Sequence, residues 1–148
     1  MTDTIGGIGV ALVPHIYGAS QLGVLSVTAP GPAHPRVEYV GGDLFVGLDE
    51  RRDGAATAVT EGQADAWPQP FREVLLAALG AATALPDAVE GATVITDEAD
   101  AAAILLEPAR LAGRQLSGAP VVLALARDRV VLVGADDEAA LTLSLIHI

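Results

Sequence analysis

Two apolar runs near the end of this 148-residue chain constrain its fold more than any other feature. Pro120–Ala126 and Val130–Gly134 contain no charged side chain, and the short segment Arg127-Asp128-Arg129 separates them. Runs of this length without polar alternation are typical of strands that lie centrally in a sheet or are covered on both faces. The sequence therefore predicts two neighbouring buried strands joined by a charged turn.

The strongest helix signal begins near Pro70, a residue type that is favoured in the first turn of a helix. Apolar side chains then recur at helical spacing and form one stripe, which consists of Phe71, Val74, Leu75, Ala78, Leu79 and Ala82. Pro86 cannot continue a helix. The pattern predicts a helix over Phe71–Leu85 with its apolar stripe against a sheet.

The remaining segments complete an α+β pattern. The predicted strands are Ile5–Tyr17, Leu22–Ala29, the hairpin Val37–Leu48, Ala55–Thr60 and Thr93–Thr96, and shorter helices are predicted to begin near Asp97, Pro108 and Asp136. We expect a two-layer fold in which helices pack on one face of a mixed, mainly antiparallel sheet. The length suits a single domain, over residues 1–142.

Composition excludes several classes of function. The chain is 51% hydrophobic but only 3% aromatic, so no large platform for stacking bases or sugars is available. It has no Cys, which excludes disulfides and thiolate zinc sites, and no Lys, which excludes a P-loop lysine or a Schiff base. The net charge of −11 disfavours nucleic acid and anionic membranes as partners. Rich use of Ala, Gly and Pro, with Arg in place of Lys, indicates a bacterial protein, and we expect a cytoplasmic one.

The beginning of the chain allows a second interpretation. No charged residue occurs from Thr4 to Pro35, and Ile5–Val13 has the hydropathy of a short signal segment. A signal peptide needs a basic start, whereas this chain has an acid at Asp3. Buried strands are the favoured interpretation, and a secreted or membrane-inserted protein is the alternative.

The last six residues, Leu143-Ser144-Leu145-Ile146-His147-Ile148, resemble the in-frame translation of a common transposase-end sequencing adapter (CTG TCT CTT ATA CAC ATC). If this tail is non-native, it interrupts the helix predicted to begin at Asp136. A natural apolar tail is the alternative. If the tail is non-native, any pocket or exposed patch near these residues is expected to mark the place of a missing structural element.

Candidate catalytic groups are few. His15 lies in an apolar run, and Asp97, Glu98 and Asp100 form an acidic cluster that could bind a hard cation. Together they could support a metal-assisted hydrolase. The competing interpretation is that His15 is a hydrogen-bonded strand residue and that the acids cap a helix. His34, in a proline-rich connector, is predicted to be solvated.

Three segments resemble the YtpQ-like family of bacterial proteins, which carry a domain of unknown function. They are Trp67-x-x-x-Phe71 followed by its helix, Asp100-Ala101-Ala102-Ala103-Ile104-Leu105, and the strand–turn–strand from Gly118 to Val133. The sequence departs from the family at Ala81 and Ala102, where many members have Asn and Ser. The resemblance implies an α+β fold and a bacterial cytoplasmic protein, and it implies no specific activity.

Because no catalytic group converges with another, the leading expectation is a non-enzymatic protein-binding or adaptor module. We expect no cofactor, and the partner would be another protein. The metal-assisted hydrolase that combines His15 with the acidic cluster is the alternative.

Overall fold

The computed structural model describes residues 11–81, 83–126 and 129–146 of the chain. The chain divides into two compact units, residues 1–81 (unit 1) and residues 82–148 (unit 2). Helices and antiparallel strands occur in both units, so the predicted α+β class is confirmed. The prediction of one mixed sheet is wrong, because each unit forms its own antiparallel sheet. The single domain over residues 1–142 stays a prediction.

Unit 1 is built around one long central strand. Its elements are β1 (Ala11–Gly18), α1 (Ala19–Thr28), β2 (Val37–Gly41), β3 (Leu44–Arg52), β4 (Ala55–Ala58), α2 (Glu61–Asp65) and α3 (Phe71–Leu79). Strand β3 pairs with β1 along one side and with β2 and β4 along the other side. The predicted hairpin and the predicted strand at Ala55 are therefore confirmed.

The segment Leu22–Ala29 is a helix, and its prediction as a strand is wrong. The β-branched residues Val24, Val27 and Thr28 favoured a strand, but such propensities are weak and depend on context. Leu22 and Leu25 lie three residues apart, and helical geometry turns both toward the same side. Leu22 is the buried residue of α1. The strand predicted over Ile5–Tyr17 begins at Ala11, and its first part lies outside the described residues.

Helix α3 supplies the core of unit 1. Four residues of its predicted apolar stripe, Phe71, Val74, Leu75 and Leu79, are buried, Ala78 is half-buried, and Ala82 lies outside the described residues. The helix packs near β1, and the central strand contributes Val46 and Leu48, which are almost fully buried. The helix ends at Leu79 rather than at Leu85, because Gly80 adopts a φ of +66° that ends helices readily.

Unit 2 contains β5 (Thr93–Ile95), α4 (Glu98–Leu106), β6 (Pro120–Ala126), β7 (Arg129–Gly134) and α5 (Glu138–Ile146). The sheet order is β5-β7-β6, so β7 is central. Residues 130–134 of β7 are all buried, which confirms the prediction for this strand. The prediction that Pro120–Ala126 is also a buried strand is wrong, because β6 lies at the edge of the sheet and is half-buried, with exposed ends. The shorter helix predicted to begin near Pro108 is reduced to a 3₁₀ turn over Pro108–Leu111.

Helices cover both faces of the unit 2 sheet, which corrects the prediction of helices on one face. Val131 and Val133 form a buried cluster with Ala140 of α5. Successive side chains of a strand point to opposite faces, so Val130 and Leu132 face the other side. Both are fully buried, and the second helix that contacts β7 is α4. This sandwich explains why residues 130–134 of β7 carry no polar side chain.

Helix α5 continues through Leu143–Ile146, which are the first four residues of the predicted adapter tail. Leu145 and Ile146 are exposed, with 58% and 68% of their surfaces accessible. His147 and Ile148 lie outside the described residues. The adapter origin of this segment stays a prediction.

Candidate functional site

The acid beside His15 is Asp49. In the pairing of β1 with β3, His15 lies opposite Gly47 and Val13 lies opposite Asp49. Cross-strand partners share one face of a sheet, so His15 and Asp49 are diagonal neighbours on the same face. Nδ1 of His15 lies 3.3 Å from Oδ2 of Asp49. The side chains are 6% and 14% exposed, so the pair is largely enclosed.

Tyr17 packs against the His15 ring of this pair. Its ring meets the His15 ring edge-on at a centroid distance of 4.4 Å. Gly47 permits this arrangement, because a Cβ added there would lie 3.0 Å from the Tyr17 ring and 2.8 Å from the carbonyl oxygen of Arg36. His15 is only 4% exposed. A histidine enclosed in this way beside a carboxylate offers little access to a substrate.

Within the acidic cluster, Asp97 caps a helix. Asp97 precedes α4 in an extended conformation, and its Oδ1 accepts a hydrogen bond of 2.9 Å from the backbone N–H of Asp100. The Asp100 carboxylate in turn accepts a hydrogen bond from the hydroxyl of Thr83. Asp137, just before α5, behaves similarly, since it accepts a hydrogen bond of 3.0 Å from the N–H of Ala140. The Asp97 and Asp137 carboxylates satisfy N–H groups that helices otherwise leave free.

Replacing the capping carboxylate tests this assignment. We expect Asp97→Ala to lower the free energy of unfolding by about 1 kcal/mol, because the N–H of Asp100 loses its acceptor. Asp97→Asn keeps an acceptor oxygen and is expected to lose only a few tenths of a kcal/mol. Urea denaturation measures both. An equal loss in the two variants would indicate that the charge, rather than the hydrogen bond, is required.

The metal-assisted hydrolase gains no support from these positions. His15 belongs to unit 1, whereas Asp97, Glu98 and Asp100 belong to unit 2. Within residues 11–81, 83–126 and 129–146, no three His, Asp or Glu side chains are grouped so that they could hold a metal ion. The hydrolase stays an untested alternative.

His34 is half-buried rather than solvated, which corrects the prediction for the proline-rich connector. Its Nδ1 lies 2.9 Å from the carbonyl oxygen of Pro35 and therefore donates to it. Its Nε2 lies 3.4 Å from Oγ of Ser26, and that hydroxyl donates to the carbonyl of Leu22 at 2.9 Å. In the neutral ring Nε2 then carries no proton, so its contact with Ser26 is a hydrogen bond only when the Ser26 hydroxyl donates to Nε2 instead of to the Leu22 carbonyl.

A groove of about 420 Å³ lies in unit 2. Apolar side chains from three segments line it, including Val89, Val94, Leu125, Val131 and Leu143. Leu143 and Ser144 belong to the predicted adapter tail, which is where a pocket was expected to mark a missing element. The groove therefore gives no independent indication of a ligand.

The outward side of α1 is the candidate site that sequence reasoning missed. With 3.6 residues per turn, Ser20, Gly23, Val24 and Val27 fall within an arc of about 100°. The centre of that arc is opposite the side that carries Leu22 and Leu25. We call these four residues the α1 surface. Val24 is 63% exposed and Val27 is 81% exposed.

Helix α1 carries no charged residue, although the whole chain has a net charge of −11. An exposed helix normally places charged residues on its solvent face. The α1 surface was missed because Leu22–Ala29 was predicted to be a strand. The spacing of Leu22, Leu25 and Ala29 at i, i+3 and i+7 was the signal that could have revealed the helix.

Comparison with known proteins adds no relative. No protein family, no curated protein and no solved structure matches the chain significantly. The resemblance to the YtpQ-like family therefore stays a prediction. Within the described residues, no helix combines the length and the hydropathy that crossing a membrane requires.

Proposed function

We propose that this chain is a non-enzymatic, cytoplasmic protein-binding module that docks its partner on the α1 surface. The observation that carries the proposal is the exposure of Val24 and Val27 on a helix without charged residues. The exposed side of a surface helix normally carries charged residues, whereas the polar residues of α1 are the uncharged Ser20, Gln21, Ser26 and Thr28. Here one side packs through Leu22, and the opposite side is left to solvent.

The character of the surface favours a protein partner. Apolar patches with a polar surround are typical of protein interaction sites. A lipid surface is disfavoured, because α1 has no basic residue and the net charge of −11 repels anionic headgroups. Nucleic acid is disfavoured for the same reason. The partner is expected to present an apolar surface with a basic rim, since opposite charges around an interface promote association.

A site-directed crosslink tests the proposal. The photoreactive residue p-benzoylphenylalanine is placed at Val27, and the chain is irradiated in its native host. We expect one defined protein to be crosslinked, and then to bind the purified chain. Val27→Glu is expected to weaken that binding at least about tenfold, since it places a charge in an apolar contact.

Ala77→Glu is the matched control, because Ala77 is an exposed apolar residue on another helix, α3. This variant adds the same charge and is expected to bind like the wild type. Equal loss of binding in the two variants would indicate a general charge effect and contradict the proposal. A crosslink from position 27 to the chain itself would also contradict it, since the α1 surface would then be covered internally.

A further inference from the structure

We infer that two copies of this chain pair antiparallel through β6 and join their unit 2 sheets into one sheet of six strands. The strand order across the assembly would be β5-β7-β6 followed by the same three strands in reverse. This surface lies in unit 2 and involves a second copy, so the inference is independent of the proposed function of α1.

The outer edge of β6 has backbone groups available for this pairing. The N–H of Ala135 donates to the carbonyl of Ala119 at 2.8 Å, and the two residues are in register with the β6–β7 ladder. Antiparallel pairs alternate between hydrogen-bonded and non-hydrogen-bonded. Val121 and Leu123 therefore bond to β7, whereas Val122 and Ala124 direct their N–H and C=O groups outward. No strand in the described part of the chain pairs with that edge.

The other edge strands carry features that discourage pairing. In β1 the same alternation directs Pro14 outward, because the N–H of Ala19 bonds to Asp43, and proline has no N–H to donate. Strands β4 and β5 have four and three residues, and β2 has a register shift after Tyr39. Short, interrupted edges are how proteins avoid edge-to-edge pairing. Strand β6 has seven residues, and its proline is confined to the first position.

The side chains of β6 suit a second copy. Pro120–Ala126 has no charged residue, so two chains that each carry a net charge of −11 can approach along this strand with little local repulsion. Residues 121–125 are all half-buried apolar side chains. A second β6 beside the first would cover them with side chains of the same kind, as in symmetric homodimers.

The alternation fixes a register. If Val122 of each copy pairs with Ala124 of the other, the outward groups form two hydrogen-bonded pairs and hence four hydrogen bonds. The twofold axis then passes beside Leu123, the middle residue of β6. Leu123 faces its own symmetry mate in a non-hydrogen-bonded pair, in which Cα atoms lie about 4.5 Å apart. Val121 lies across from Leu125 of the second copy.

A single cysteine tests this register. The natural sequence has no Cys, so Leu123→Cys introduces one thiol. Because a Cα separation of about 4.5 Å is within the range of disulfides, we expect mild oxidation to convert this variant to a covalent dimer. Val121→Cys is the matched control on the same face of the same strand. Its thiol is four positions from its symmetry mate and is expected to remain reduced.

Proline variants test the same edge without crosslinking. Val122→Pro removes an outward N–H that makes no bond to β7, so the fold is expected to persist while the dimer is lost. Val94→Pro is the matched control: Val94 lies opposite Val131, whose N–H and C=O bond to β6, so Val94 is an outward position on the other edge of the same sheet. It is expected to remain dimeric.

Light scattering after gel filtration, with circular dichroism to verify folding, measures the outcome. We expect about twice the chain mass of 15.0 kDa for the wild type and for Val94→Pro, and the chain mass for Val122→Pro. A wild type that is monomeric at its highest attainable concentration overturns the inference. A folded Val122→Pro dimer, or equal oxidation of the Leu123→Cys and Val121→Cys variants, overturns it as well.

Discussion

Gly134→Ala is expected to lower the free energy of unfolding by at least about 3 kcal/mol, the upper part of the range for overpacked cores. Gly134 is the last residue of β7 and is buried. An added Cβ would collide with the backbone nitrogen and carbonyl carbon of Ser117, at 2.6 and 2.7 Å. Backbone atoms cannot rotate away as a flexible side chain can. The strand end or the segment that crosses it must therefore move.

Such a movement would disturb the hydrogen bonds that close this end of unit 2. The N–H of Asp136 donates to Ser117, and the N–H of Ala135 donates to Ala119, both at 2.8 Å. We expect the urea midpoint to fall and amide exchange to accelerate first in β6 and β7. Normal stability in Gly134→Ala would show that the Ser117 segment can move away from β7 at little cost.

Gly23→Ala provides a control of opposite sign. Gly23 lies inside α1, and a Cβ added there would have no neighbour within 4 Å. Alanine in a helix interior is more stable than glycine by about 0.5–1 kcal/mol. The same chemical change is therefore expected to stabilise unit 1 and to destabilise unit 2. If both variants lose stability, the local environment of each glycine does not decide the effect.

The elements with a continuous or strongly periodic pattern could be predicted from the sequence. Helix α3 follows from the spacing of Phe71, Val74, Leu75 and Leu79, and β7 follows from the apolar run Val130–Gly134. Asp97 as a helix cap also follows from local chemistry, since its acceptor and the N–H it satisfies are three residues apart. In each case the structure depends on residues that are close in the sequence, or on a run of side chains that are all buried.

The features that escaped prediction depend on distant residues. His15 meets Asp49 because of the register between β1 and β3, which no local pattern specifies. The strands form two sheets instead of one, and which strands pair depends on contacts between residues that are distant in the sequence. Val24 and Val27 prefer strands, but they lie in a helix whose buried residue is Leu22. Residue propensities therefore could not predict the α1 surface.

Leu75→Ala is expected to have the second large effect, a loss of about 2–5 kcal/mol in the free energy of unfolding. Leu75 is fully buried at the centre of the apolar stripe of α3. Truncation removes its transfer free energy and leaves a cavity that the surrounding side chains fill only in part. The helix itself should persist, because alanine is the best helix former. The loss is therefore one of packing rather than of secondary structure.

Leu76→Ala is the matched control, because it makes the same change one position along α3, where the side chain is only half-buried. We expect it to lose less than about half as much, and urea denaturation at constant slope would compare the two. Equal losses would contradict the packing of α3 described for unit 1.

The two variants with large effects, Leu75→Ala and Gly134→Ala, together test the prediction of one domain over residues 1–142. A single cooperative domain requires Leu75→Ala and Gly134→Ala to shift one common transition, whereas separate transitions that each respond to one variant would contradict it.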